Sequence, residues 1–381
     1  MIEIIFWISI ILIGYVYAGY PVILFIFSHF FPPPRSEGEV SPSITIIIPA
    51  HNEEAVIGEK IRSILDCGYH PELLEVIVAS DASTDRTDRL AGQFQSDGVE
   101  LIRFPTRLGK TEMVNRIVPR CRGEIVLISD ADTRIEPGSI TELVSHFAIR
   151  DIGAVCGKRA VARRLTGSAA IADGLYCKYE SFIKKHEGLL LSIMGADGSL
   201  YGFRKKLFSE VPPNVPDDFA VVLQILQKKE GVIYADRAVS REQVFSTLWS
   251  EFTRKQRTIA RGIRGVVWAR NLLNPFRHPL PAFQLISHKI IRWLIPFFLL
   301  MLFGLNLILL DKPFYRFTLF VQLIFYLSAA AGIWLESIDK KSKFFLVPSY
   351  FCLMNAASIS GIWMWLRGSD RVYWDQPEKN E

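Results

Sequence analysis

Four long runs without a formal charge punctuate the chain, at residues 4–31 (His29 taken as neutral), 293–310, 317–335 and 344–366. Each is about 18 residues or longer, enough for a helix to cross a hydrocarbon core of roughly 30 Å. Between the first and second runs the pattern changes. Apolar, β-branched stretches stand at 44–48 (ITIII), 74–79 (LEVIVA), 99–104 (VELIRF), 124–129 (EIVLIS) and 153–156 (GAVC). Helix-like segments at about 53–67, 84–96, 110–120 and 137–149 separate them. Asn52 before Glu53-Glu54, Ser83 or Thr84 before Asp85, and Pro137 supply the helix-start signals. Strands alternating with helices predict βαβ units and a parallel sheet. Their continuous apolar character predicts that both sheet faces are covered.

The pattern divides the chain into an N-terminal transmembrane helix (1–33), an α/β domain (34–270) with interfacial helices toward its C-terminal end, an interfacial segment with three transmembrane helices (271–368), and a tail (369–381). "FPPPRSEGEVSPS" (31–43) reads as a membrane exit and linker. Residues 160–270 are more helical and more charged, with less rhythm, and 278–292 look amphipathic, as helices lying at an interface do. The first run is not patterned as a signal peptide, because no basic start precedes it and no small-residue cleavage site follows. Three further runs in series, with short charged loops between them, argue for spans rather than buried core helices. Trp293, Trp334, Trp363, Trp365 and Tyr315 stand near the span ends, as an aromatic belt would.

Composition adds little to this but excludes some classes. The five cysteines show neither metal spacing nor an even disulfide framework, which fits a reducing compartment. The net charge of +5 gathers between 253 and 277, beside the membrane segments, so a lipid surface is the expected partner and nucleic acid is not. The loop "ESIDKKSK" (336–343) carries three lysines, whereas "DKPFYR" (311–316) is nearly neutral. Positive loops stay inside, so the α/β domain is expected on the cytoplasmic face of a multi-pass plasma or inner-membrane protein, with both termini outside.

Ligands of open parallel sheets bind beyond the carboxyl ends of the strands. The segments there are "PAHNEE" (49–54), "SDASTD" (80–85) and "SDADTR" (129–134), which bring Glu53, Asp81, Asp130 and Asp132 to one edge. Two like charges one residue apart, at the end of an apolar strand, call for a counter-charge. A divalent cation bound to a diphosphate supplies it, since Mg²⁺ typically takes one or two carboxylates plus phosphate oxygens. Asp81 would then hold a base or ribose at the far end of the ligand. Lys110 either balances phosphate charge or is a solvated helix start. Arg254 and Arg257, three apart, share a helical face and can stabilise a leaving diphosphate; the same basic run, with Lys255, Arg261 and Arg264, equally suits anionic headgroups.

Taken in order, "IIIPAHNEE", "ASDASTDRT", "RLGKTEMVN", "DADTRIEP", "GADGSLYGFRK", "PDDFAVVLQIL" and "RKQRTIARG" resemble the family 2 glycosyltransferases from about Ser43 to Gly265, running on into the membrane segments. The membrane-embedded members it resembles include cellulose, hyaluronan and poly-N-acetylglucosamine synthases. The resemblance implies a GT-A fold, a Rossmann-like parallel α/β sheet. It places Ala50, Asn52 and Glu53 in the nucleotide loop, Asp81 on the base, Asp130 and Asp132 on metal (Mg²⁺ or Mn²⁺) and diphosphate, Gly195, Asp197 and Gly198 near the acceptor sugar, and Asp218 as general base. Asp217 stands where a glutamate is frequent. The processive members' Gln-x-x-Arg-Trp motif reads Arg254-Lys255-Gln256-Arg257-Thr258, keeping only the arginine, Arg257. The implied reaction is inverting transfer from a nucleotide-diphospho-sugar, expected to be a UDP-sugar, to a growing extracellular polysaccharide, with an accessory export subunit as a further partner. The alternative is addition of one sugar to a lipid-linked acceptor. A non-catalytic nucleotide-binding subunit would be expected to lack one of the acids, and a nucleotidyltransferase would show a Gly-rich phosphate loop near its N-terminus.

Overall fold

The structure, a computed structural model, describes residues 1–31, 40–161, 168–242, 247–338, 340 and 342–368. The tail 369–381, residues 32–39 of the linker, and residues 339 and 341 of the lysine-rich loop lie outside the described residues. The strands are β1 (Ile44–Ala50), β2 (Leu74–Asp81), β3 (Val99–Phe104), β4 (Ile125–Ile128), β5 (Thr133–Ile135), β6 (Ile152–Val161), β7 (Tyr201–Arg204) and β8 (Gly231–Glu242). The helices are α1 (Ile2–Gly14), α2 (Tyr20–Ser28), α3 (Ile57–Leu65), α4 (Thr87–Gly92), α5 (Lys110–Ile117), α6 (Ser139–Ser145), α7 (Ser168–Leu189), α8 (Asp217–Gln227), α9 (Leu248–Trp268), α10 (Pro279–Gln284), α11 (Ile291–Ile308), α12 (Pro313–Ser337) and α13 (Lys343–Leu366).

One sheet of eight strands has the order β3-β2-β1-β4-β7-β6-β8-β5. The half built from β3, β2, β1 and β4 is parallel, as the rhythm predicts. Beyond β4 the sheet is mixed: β7 runs antiparallel to both β4 and β6, and β5 is antiparallel to β8. Alternation along β1 explains its unbroken apolar run. Ile44, Ile46, Ile48 and Ala50 enter a core with α3, α4 and α6, while Ile47 faces a second core with α5 and α8. Each fully buried isoleucine contributes about 1.5–3 kcal/mol, so a charge at any of these positions would undo the strand.

Helix starts differ from the expected signals. Asn52 has φ 54° and precedes α3 by several residues, so it caps nothing; Val56 occupies the N-cap. Asp85 lies ahead of α4, and its Oδ1 accepts from the Thr87 N–H (2.9 Å). Pro137 precedes Gly138, whose φ of 76° turns the chain into α6.

Among the described residues, four helical stretches are long and apolar enough to cross a membrane: Ile2–Ser28, Pro279–Ile308, Pro313–Ser337 and Phe344–Leu366. The first holds one π-helical turn at Tyr15–Gly19 between α1 and α2. The segment 278–292 is not a separate interfacial helix. It runs as α10 through a π-helical turn, Leu285–Ile290, directly into α11. Of the expected belt residues, Tyr315 is buried against Phe6, with ring centroids 4.8 Å apart, and the half-buried Trp293 packs over Gly262 of α9. Between α11 and α12 a small network of hydrogen bonds joins Asn306, Thr318, Gln322 and Tyr326 inside the bundle. Helix α9 lies along α13, where the bare Gly361 meets Ile259 and the backbone of Gln256. This contact joins the sheet domain to the membrane helices.

Candidate active site

The parallel register brings the carboxyl ends of β1, β2 and β4 to one edge, but the acids there do different things. Asp81 is wholly buried. Its carboxylate accepts from the backbone N–H of Leu108 (2.6 Å) and Gly109 (3.0 Å) and from Arg107 Nε (3.2 Å). Arg107 also meets His51 Nε2 (2.6 Å), while His51 Nδ1 bonds the Asp81 carbonyl (2.7 Å). In this arrangement Asp81 builds the loop 107–109, and a ligand would meet the loop before the acid. Ala50 is buried in β1 and Glu53 is buried behind it, with the Glu53 N–H donating to Thr87 Oγ1 (2.7 Å). Asn52 accepts from the Thr84 N–H (2.8 Å), tying the first loop to the second.

The acids of the fourth strand end are the accessible ones. Asp130 is half-exposed and its Oδ1 accepts from Lys110 Nζ (2.7 Å); Lys110 also reaches Asp217 Oδ2 (3.3 Å). Burial opposes the charge on Lys110, but Asp130, Asp217 and Asp218 hold it well above the ordinary lysine range. Asp132 is exposed. Enclosure at the sheet edge, then the carboxylates of Asp130 and Glu242, push it up to about 7. Behind the pair lies Lys60 of α3, buried and donating to Ser129 Oγ (2.5 Å) and Thr133 Oγ1 (3.0 Å). Burial pulls Lys60 down to about 7, against the attraction of Asp130 and Asp132. The counter-charges that the acid pair demands are thus partly two lysines of the chain itself. Among the described residues no cluster of three or more His, Cys, Asp or Glu forms a complete metal cage. Two carboxylates at an open edge nevertheless match what Mg²⁺ or Mn²⁺ takes from a protein when phosphate oxygens complete its shell.

Gly198 separates this edge from the next. A Cβ there would stand 2.6 Å from Asp130 Oδ2 and 2.9 Å from Lys110 Nζ. Both are ends of side chains, so the fold would yield cheaply while the acid–lysine geometry would not survive. Gly198→Ala is expected to cut turnover by about tenfold or more, since small displacements of reacting groups are costly. Its thermal midpoint should stay close to the parent's, and undiminished turnover would show that the Asp130–Lys110 spacing is unimportant. Gly195, at φ 126°, turns the other end of this loop. Asp197 between them is held below its usual range by Lys184 and Arg159, against burial.

On the far side of that loop opens a cavity of about 570 Å³, bounded by α7, α8, α9, α11, α13 and Tyr17 of the first span. It brings together Gly195, Asp218, Arg254 and Arg257. Asp217 and Asp218, adjacent in sequence, part company at the start of α8. Asp217 turns inward to accept from Tyr201 OH (2.6 Å), and Asp218 faces the cavity. Burial, reinforced by Asp217, raises the Asp218 carboxyl to about 6, the range that suits a general base. Arg254 also pairs with Glu251 (2.6 Å). Thr258 borders the cavity too, with its hydroxyl folded back on the Arg254 carbonyl (2.9 Å).

Several contributors are absent from the sequence reading. Lys60 had a legible signal, because it shares the buried helical face of Ile57, Ile61 and Ile64. Lys289 and Arg292 were visible only as the polar side of 278–292, and Tyr176 had no signal at all.

A family model described as Glycosyl transferase family 2 matches residues 45–211. The chain is 26% identical over 178 residues to the Beta-monoglucosyldiacylglycerol synthase of Synechocystis sp., covering 45% of this chain and 36% of that protein, about a third of its length. With the N-acetylglucosaminyltransferase of Bradyrhizobium elkanii it shares 31% identity over 133 residues, 33% of this chain and 71% of the relative. Among solved structures, Mannosyltransferase PcManGT from Pyrobaculum calidifontis, in complex with GDP-Man and Mn²⁺, aligns with a TM-score of 0.73 at 19% identity. That alignment covers 96% of this chain and 99% of the other, so the likeness in fold extends through the membrane helices.

Proposed function

The chain belongs to the family 2 glycosyltransferases, and from that premise we infer that it transfers one sugar from a nucleotide-diphospho-sugar to a hydroxyl of a membrane lipid acceptor. The observation that carries this reading is the cavity at Asp218, to whose α13 wall Val347, Phe351 and Met354 bring apolar side chains beside Tyr350, Asn355 and Ser358. A hydrocarbon-bearing acceptor suits that wall. Thr258, where processive members carry tryptophan, leaves the cavity without an aromatic platform at that position, which favours a single addition over polysaccharide growth. An export subunit belongs only to the polysaccharide reading.

In this mechanism Asp218 takes the proton of the acceptor hydroxyl as its oxygen attacks C1 of the donor. The C1–O bond to the diphosphate breaks on the opposite face, so the anomeric configuration inverts and no covalent enzyme intermediate forms. Arg257 and Arg254 offset the charge growing on the leaving diphosphate. Asp130 and Asp132 would hold a divalent cation, which when bound neutralises donor phosphate; the Mn²⁺ in the complex of the similarly folded Pyrobaculum calidifontis mannosyltransferase supports a divalent metal as the donor's partner. Asp81 acts by fixing the loop 107–109, beside which the nucleotide would lie. The domain faces the cytoplasm, where nucleotide-sugars are available, with a UDP-sugar the first donor to try.

The test is turnover of the protein in nanodiscs against UDP-, GDP- and dTDP-sugars with a total lipid extract as acceptor. A product extracted into organic solvent, larger than the acceptor by one hexose-sized unit, is expected. Water-soluble product of increasing length would sink the lipid reading.

A further inference from the structure

Two lysines in the cavity have no part in the reaction just described. Lys255 of α9 and Lys289, on the π-helical turn before α11, both line it, half-buried. A π-turn re-aims side chains relative to a regular helix and recurs at functional positions. Here it turns Lys289 toward the loop of Gly195: its Nζ lies 3.9 Å from where a Cβ on Gly195 would stand, and 5.9 Å from the ring centre of Phe219, the neighbour of Asp218. Lys255 donates to Tyr176 OH (2.7 Å) and sits over that ring, 4.4 Å from its centre.

The nearby acids are already engaged. Glu180 takes Arg292 (2.5 Å) and His288 (3.3 Å), and Glu187 takes Tyr20 (2.5 Å) and His288 (2.9 Å). Among the described residues neither Lys255 nor Lys289 has a carboxylate within ion-pair distance. Arg254, Arg257 and Arg261 border the same space, and Asp218 is the acid that faces it. Burial, then the neighbouring Arg292, Lys289 and Arg254, pulls Lys255 down to about 7 against the attraction of Glu180. Concentrated, half-buried positive charge of this kind is stabilised by a bound anion. In the reaction above the donor's diphosphate takes Asp130, Asp132, Arg254 and Arg257, which leaves Lys255 and Lys289 for an anion carried by whatever else fills the cavity.

We propose that Lys255 and Lys289 form a phosphate-binding site within the acceptor cavity, so that the lipid acceptor carries a phosphate group held at Lys255 and Lys289 while its hydroxyl reaches Asp218. This rests on reading the cavity as the acceptor site and narrows the acceptor class to anionic, phosphate-bearing lipids.

The probe is decyl phosphate, titrated into the full-length protein in phosphatidylcholine nanodiscs without donor and followed by tryptophan fluorescence, since Trp293 lines the cavity. Decyl glucoside and inorganic phosphate are the comparison ligands. Decyl phosphate is expected to bind more tightly than either, and Lys255→Gln or Lys289→Gln to weaken it by about tenfold each, the worth of one charge-assisted bond. Lys→Arg at either position should restore most of the affinity, which a merely misfolded variant would not do. Equal binding by the parent and both glutamine variants would overturn the proposal, as would inorganic phosphate binding as well as decyl phosphate. Because no turnover is read, the two inferences fail separately. Phosphate binding with polysaccharide as the product would sink the single-addition reading alone, and transfer to a neutral lipid with the lysines silent would sink this one alone.

Discussion

Asp218→Asn is expected to lower the rate of sugar transfer by about a thousandfold, within the range of a lost general base, while leaving donor affinity within a factor of about two, since the base acts on the acceptor's proton in the transition state and not on the bound donor. The expectation rests on the division of labour at the start of α8. Asp217 is used up by Tyr201 and Lys110, so it cannot also turn toward an acceptor. Asp218 borders the cavity and shares it with Gly195 and the two arginines. The amide is nearly isosteric but cannot take a proton. With the carboxyl raised to about 6 by burial and Asp217, the base works in its deprotonated form. Transfer should therefore rise with pH through about 6 and level off above it, and this limb should be missing from any residual activity of the variant. Single-turnover rates across pH 5–8, with donor titration alongside, check both. Near-parental transfer by the asparagine variant would remove Asp218 from the chemistry.

What could be read in the sequence follows from which signals are local. The parallel half of the sheet was legible because burial on both faces forces unbroken apolar runs such as "ITIII". Strands β7 and β8 were not. Tyr201–Arg204 spans four residues beside a glycine-containing loop, and Gly231–Glu242 mixes charge with apolar residues because its second half is only partly covered. The strand-end acids were found as a group because their type and position are local facts. Their separate roles were not, because whether a carboxylate faces solvent or a backbone N–H depends on a loop closing over it. Asp81 and Glu53 became internal that way, while Asp130 and Asp132 stayed open. The cavity was the least legible feature. Its walls come from α7, α9, α11, α13 and the first span, and a contact such as Lys255 with Tyr176 crosses 79 positions that no periodicity links.

Asp132→Asn should act on the donor rather than on the proton. Metal-dependent donor affinity is expected to fall by at least about a hundredfold, since even outer partners of a metal ligand are worth 10–100-fold, and transfer should fall with it. Asp132 is the sharper test of the pair. Asp130 is committed to Lys110 at 2.7 Å and packs against Gly198, so replacing it would disturb the fold of the edge as well as the site. The raised carboxyl pKa of Asp132, near 7, reports enclosure at the sheet edge first and crowding by Asp130 and Glu242 next, rather than stabilising contacts. Removing that charge relieves repulsion. The variant should therefore be at least as stable as the parent near neutral pH, and any loss of binding can be charged to the site. Isothermal titration of the donor with Mg²⁺, with Mn²⁺ and with chelator separates the cases. The parent should bind far better with metal than with chelator, and Asp132→Asn should bind weakly and alike in all three. A variant that kept the parent's metal dependence would place the cation elsewhere and leave Lys60 and Lys110 as the sole counter-charges of the acid pair.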